Sequence, residues 1–142
     1  MLKLRQHMLG LTINGETRME MWELVKRLLA GANGANSTYL PEMIARRYKT
    51  ELEKSGQKLE FSDEVLNEAA EDLVNQLKEQ GLLQDAGQVR PGLGNVAAME
   101  RTDFGDELLQ TLSVKQYLEF FENMQAQVDA GYIRQLIYQL NS

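Results

Sequence analysis

Three phrases within residues 39–109 decide the fold: Tyr39-Leu-Pro-Glu-Met-Ile-Ala-Arg-Arg-Tyr48, Leu73-Val-Asn-Gln-Leu-Lys-Glu-Gln-Gly-Leu-Leu83 and Arg101-Thr-Asp-Phe-Gly-Asp-Glu-Leu-Leu109. Pro41 suits the first turn of a helix, where its missing N–H costs nothing. Met43, Ile44, Tyr48 and Leu52 then give that helix one apolar face to about residue 55. Gly56 and the polar Gln57-Lys58 break it. Leu59 and Phe61 flank Glu60 as an extended anchor, and Ser62 stands where an N-cap is needed. The next helix, about 63–80, buries Leu66, Ala69, Ala70, Leu73, Val74 and Leu77 at helical spacing, and Gly81 ends it. Leu82-Leu83 and Val96-Ala97-Ala98-Met99 read as two short strands. The segment between them holds Pro91-Gly92, the central pair of a type II turn. Asp103 is the expected cap of a further helix with Phe104, Leu108, Leu109 and Leu112 on its apolar face.

Upstream, residues 18–30 carry a helical stripe of Met21, Val25 and Leu28, widened by Trp22 and Leu29. Gly31-Ala-Asn-Gly-Ala-Asn36 stops this helix and reads as a plain loop. Its glycines lack the spacing and the Lys-Ser/Thr ending of a phosphate loop. Residues 1–17 read equally well as a flexible leader or as a short strand ending in the Asn14-Gly15 turn. Downstream, Ser113-Val-Lys-Gln116 has the form of a capping box and opens a helix lined by Tyr117, Leu118, Phe121, Met124 and Val128. Gly131 interrupts, and Tyr132, Ile133, Leu136, Ile137 and Leu140 form a last apolar stripe.

Composition narrows the function. A chain of 142 residues suits one compact domain, or a small module with an added helical arm, and can bury a core without staples. It has no cysteine, which removes disulfides, thiol catalysis and cysteine zinc sites. No apolar run approaches the roughly 18 residues of a membrane span. The first residues, Met1-Leu-Lys-Leu-Arg-Gln-His7, are too polar for a secretory signal, so the expected location is cytoplasmic with no membrane partner. The formal charge of −6 does nothing to attract a polyanion. Catalysis has little to work with: His7, the one histidine, sits in the leader, and carboxylate pairs such as Glu71-Asp72 and Asp106-Glu107 diverge on a helix. The expectation is a protein that is not an enzyme and needs neither metal nor cofactor.

The run Ile44-Ala-Arg-Arg47 and the second and third quoted phrases resemble the winged helix-turn-helix superfamily, over about residues 18–112. Members often place a Leu-x-x-x-Gly-Leu at the exit of the recognition helix, as at Leu77–Leu82 here. They also place a Thr-x-x-Gly-x-x-Leu-Leu after the wing, as at Thr102–Leu109. The resemblance implies a mainly α fold with a short β-hairpin wing, followed by a C-terminal helical extension at 113–142. It departs from the shortest version of the fold in the roughly ten extra residues between the second and third helices. In DNA-binding members the recognition helix offers its N-terminal half to the major groove. In this chain that half carries Asp63, Glu64, Asn67, Glu68, Glu71 and Asp72, and the only basic residue in the helix is Lys78. Such a helix repels phosphates and offers no donor fork to guanine.

Two functions follow as expectations. The favoured one is a non-catalytic interaction module, a homodimer or part of a protein assembly. Its contacts come from Asp63, Glu64, Glu68, Glu71 and Asp72, with Tyr117, Phe120, Phe121, Met124, Tyr132, Leu136 and Tyr138 of the C-terminal stripe. The stripe can equally close over the chain's own core. The alternative is a dimeric DNA-binding transcriptional regulator holding phosphates through Arg46, Arg47, Lys49 and Arg90. Against it stands ordinary pairing of Arg46 and Arg47 with Glu42 or Glu51.

Overall fold

Helical periodicity and local caps account for most of the backbone in a computed structural model that describes residues 19–34, 38–88, 97–124 and 127–142. Among the described residues there are six helices: α1 (Met21–Ala30), α2 (Pro41–Lys54), α3 (Asp63–Glu79), α4 (Asp103–Leu112), α5 (Lys115–Met124) and α6 (Ala130–Leu140). One antiparallel pair, β1 (Leu83–Gln88) and β2 (Ala97–Arg101), lies between α3 and α4. The architecture is therefore mainly helical with a small two-stranded sheet. The leader, His7, Arg90 and the Pro91-Gly92 turn lie outside the described residues.

The third helix follows its sequence closely. All six expected apolar residues, from Leu66 to Leu77, are buried, and the Ser62 hydroxyl accepts from the Val65 N–H at 3.2 Å. Gly81 adopts φ +77°, a left-handed turn that a side chain would oppose, and it releases the chain into β1. Elsewhere the details shift. In α1 the buried set includes Leu24, while Met21 sits at the rim. In α2 the core takes Ala45 and Tyr48, and Met43 is 48% exposed rather than internal. The strands are longer than their apolar residues suggest, because Gln84 to Gln88 pair through backbone and need no core-facing pattern.

Three local readings are corrected. The cap of α4 is Thr102, whose hydroxyl accepts from the Gly105 N–H at 3.0 Å; Asp103 is already inside the helix. Ser113 forms no capping box, because its hydroxyl donates back to the Leu109 carbonyl at 2.7 Å and closes α4 instead. Gly131 does not interrupt a helix. It lies in the first turn of α6, which Asp129 caps by accepting from the Tyr132 N–H at 2.9 Å.

The 31–36 loop is also more than a connection. Asn33 bridges Glu100 of β2 in antiparallel sense, and the Gly34 N–H donates to the Met99 carbonyl at 2.9 Å. Arg101 reinforces the joint: its Nη1 donates to the carbonyls of Leu29 at 2.8 Å and Ala32 at 3.3 Å, and its Nε to Asp106 at 2.6 Å. The last carbonyls of a helix lack internal partners, so this guanidinium satisfies the end of α1 from 72 residues away. Arg101→Met is expected to lower stability by about 2 kcal/mol, since part-buried carbonyls lose a charged donor. A urea midpoint unchanged from the parent chain would contradict that account.

The C-terminal helices close over the core. Trp22 of α1 and Phe121 of α5 meet edge to face at 5.0 Å between ring centres, both essentially inaccessible to solvent. Leu118, Val128, Ile133, Leu136 and Ile137 join the same buried cluster as the residues of α1, α3 and α4. The Gln80 side chain accepts from the Ala130 N–H at 2.8 Å, tying the start of α6 to the end of α3.

Candidate functional site

The charged face of α2 and α3 is assembled from residues that the core rejects. Along α3, Glu64, Glu68, Glu71, Asn75 and Glu79 recur every three or four residues and are all exposed, so they share the side opposite the buried stripe. Asp63 is also exposed, and Asp72 is half-buried. The two lysines nearest these acids are engaged. Lys78 reaches Asp85 of β1 at 3.0 Å. Lys49 of α2 contacts Asp63 at 2.9 Å, donates to the Phe61 carbonyl at 3.0 Å and lies 5.5 Å from the Phe61 ring centre. Lys49 thus fastens the chain between α2 and α3, and only 11% of its side chain remains exposed.

Arg46 and Arg47 present the opposite case. Both are exposed, and among the described residues neither forms an ion pair. Of the expected partners, Glu51 feels Arg47 as a lesser influence but is bonded to another arginine. Glu51 is gripped by Arg27 of α1 through two bonds, at 2.9 and 3.0 Å, and Arg27 also holds Glu23 at 2.8 Å. The Arg27 guanidinium keeps the Glu51 carboxyl below the usual carboxylate range, and Glu51 in turn raises the proton affinity of Arg27. Arg27 lies over the Tyr48 ring at 4.4 Å, and burial pushes the Tyr48 phenol up to about 12. Glu42 of α2 lies close to Glu71 of α3. This contact raises the Glu71 carboxyl above its ordinary value, because two carboxylates brought together disfavour double ionisation.

Arg46, Arg47 and Lys49 line an open depression of about 510 Å³, together with Met43, Thr50 and Glu53 of α2 and Asp63 of α3. Met43, Thr50 and Glu53 are the members that sequence reading did not bring to the surface site. Spacing alone places Met43 inward with Ile44, because both fit a helical stripe until the neighbouring helix is known. The acidic residues on the depression matter: it is a mixed surface, not a purely cationic one.

The aromatic set of α5 and α6 is divided by packing. Phe121 and Leu136 lie inside the chain's own core, and Tyr117 and Phe120 are half-buried. Only Met124 at 46%, Tyr132 at 36% and Tyr138 at 77% exposure are left to meet a partner. Arg134 lies 3.8 Å from the centre of the Phe104 ring.

No group of three or more His, Asp or Glu side chains is arranged to hold a metal ion among the described residues. No helix among them is long and apolar enough to cross a membrane. In comparisons with protein-family models, curated proteins and solved structures, nothing matches this chain.

Proposed function

We propose that this chain is a winged-helix interaction module that binds protein and does not read DNA through its third helix. The observation that carries the reading is the exposed face of α3, where Glu64, Glu68, Glu71 and Glu79 stand in line and Lys78 is occupied by Asp85. A polyanion approaching Glu64, Glu71 and Glu79 on that face is repelled by their carboxylates. The winged-helix part is supported by the order α1, Asn33 bridge, α2, α3, β1, β2, and by the pairing of that bridge with β2. It is supported also by the Thr-x-x-Gly phrase, where Thr102 donates to the Gly81 carbonyl at 2.6 Å and so joins the two quoted motifs. The exposed Tyr132, Tyr138 and Met124 offer the module a second contact surface.

A second reading, a regulator gripping phosphates, is favoured by one observation: Arg46 and Arg47 are exposed on the open depression and form no ion pair among the described residues. Fluorescence anisotropy with duplex DNA at about 0.05 M salt separates the two, since phosphate contacts release counterions and weaken steeply with salt. The expected result is no salt-sensitive binding. Tight binding that collapses with added salt, and is abolished by Arg46→Glu with Arg47→Glu, would establish the regulator and remove the protein-binding reading.

A further inference from the structure

We propose that the exposed stripe of α2 along the open depression docks a short segment of a partner protein. That segment brings carboxylates to Arg46 and Arg47, an apolar side chain to Met43 and a basic side chain to Glu53. This assignment rests on the protein-binding reading above and deepens it by giving the partner's chemistry.

Helical spacing builds the stripe. Met43, Arg46, Arg47, Thr50 and Glu53 fall at i, i+3, i+4, i+7 and i+10, all are exposed, and all line the depression. Their chemistry changes in order along the helix: apolar at Met43, cationic at Arg46 and Arg47, neutral at Thr50 and anionic at Glu53. The remaining charges of the depression offset each other, because Lys49 holds Asp63 at 2.9 Å and the Phe61 carbonyl at 3.0 Å. Glu42 and Glu51 share α2 but do not line the depression, and Arg27 binds Glu51 through two bonds. Among the described residues Arg46, Arg47 and Glu53 form no ion pair.

The order of these groups selects the occupant. A carboxylate beside a guanidinium gains charge-assisted hydrogen bonds, two at once where the planes align. Duplex DNA presents a negative charge about every 1.7 Å of its axis, so a backbone that satisfies the arginines also brings phosphates to Glu53. A free anion leaves Glu53 and the 48% exposed Met43 uncovered. A peptide can change from apolar to acidic to basic within a few residues. From Met43 to Glu53 the stripe runs about 15 Å at about 1.5 Å per residue, the reach of roughly five residues of extended chain. So short a contact stays under the roughly 1,200 Å² of total buried surface that stable complexes need, and the binding is weak and reversible.

The test is fluorescence anisotropy of labelled peptides with the full chain at about 0.05 M salt. The acidic probe reads Leu, Glu, Glu, Ser, Lys and is used together with its reverse, because an extended chain can lie either way along the helix. The basic probe carries Lys in place of each Glu. The parent chain is expected to bind an acidic probe about tenfold more tightly than the basic one, and Arg46→Glu with Arg47→Glu to invert that preference. The inversion also certifies that the variant is folded. Glu53→Gln is expected to weaken the acidic probe about threefold through loss of its lysine contact. A site that merely attracts anions gains affinity in that variant, and such a gain would overturn the proposal. So would a parent chain that binds neither acidic probe, or an arginine variant that keeps the parent's preference. Absence of both peptide and DNA binding removes this site and leaves the acidic face of α3 as the module's contact, whereas salt-sensitive DNA binding removes the module itself.

Discussion

Phe121→Ala is expected to destabilise the chain by about 4 kcal/mol, the scale for emptying a large aromatic site in a core that collapses only partly. Phe121 is fully buried and meets Trp22 edge to face at 5.0 Å, so the substitution removes both apolar burial and the aromatic pair. At roughly 3 °C per kcal/mol for a domain of this size, the melting temperature should fall by more than about 10 °C. The matching control is Tyr138→Ala. Tyr138 is 77% exposed, and exposed positions of this kind usually change stability by less than about 0.5 kcal/mol. Comparable losses for the two variants in thermal melts would mean that the C-terminal helices do not close over α1 as described.

Gly105→Ala should cost about 3 kcal/mol even though alanine is the better helix former. A Cβ at this position falls inside van der Waals contact of the Leu82 carbonyl oxygen, and lies 3.1 Å from the Leu82 carbonyl carbon and 3.3 Å from the Arg101 Cβ. The obstacle is backbone, which cannot rotate away, so α4 must move off the start of β1. That movement also strains the Thr102 cap and its bond to the Gly81 carbonyl. The glycine of the Thr-x-x-Gly phrase is thus explained by close approach and not by an unusual backbone angle. A variant that melts within about 2 °C of the parent would show that α4 has room to shift at no cost.

Both effects concern contacts between elements distant in sequence, and this separates what could be read early from what could not. Ser62 and Gly81 bound α3, and its apolar stripe from Leu66 to Leu77 is buried as its spacing predicts. Those signals act over three or four residues, so they are legible in a linear chain. Between adjacent candidates the short-range signals do not decide. Thr102 caps α4 and Asp103 does not; Met43 faces solvent while Ala45 faces the core. Either residue satisfies the local rule, and the neighbouring helix selects one.

The sequence by itself determined the helix order, the glycine stops after the first and third helices and the acidic character of the third helix. Each of these depends on residue type and short-range periodicity alone. The tertiary structure alone decided which charges stay available. Arg27 takes Glu51 across 24 positions, and Arg101 reaches the Leu29 carbonyl across 72. It also decided that Phe121 and Leu136 serve the core while Tyr132 and Tyr138 remain outside. The physical reason is common to both: an ion pair or a buried ring depends on distance in space. A sequence lists candidate partners, but only folding ranks them by proximity.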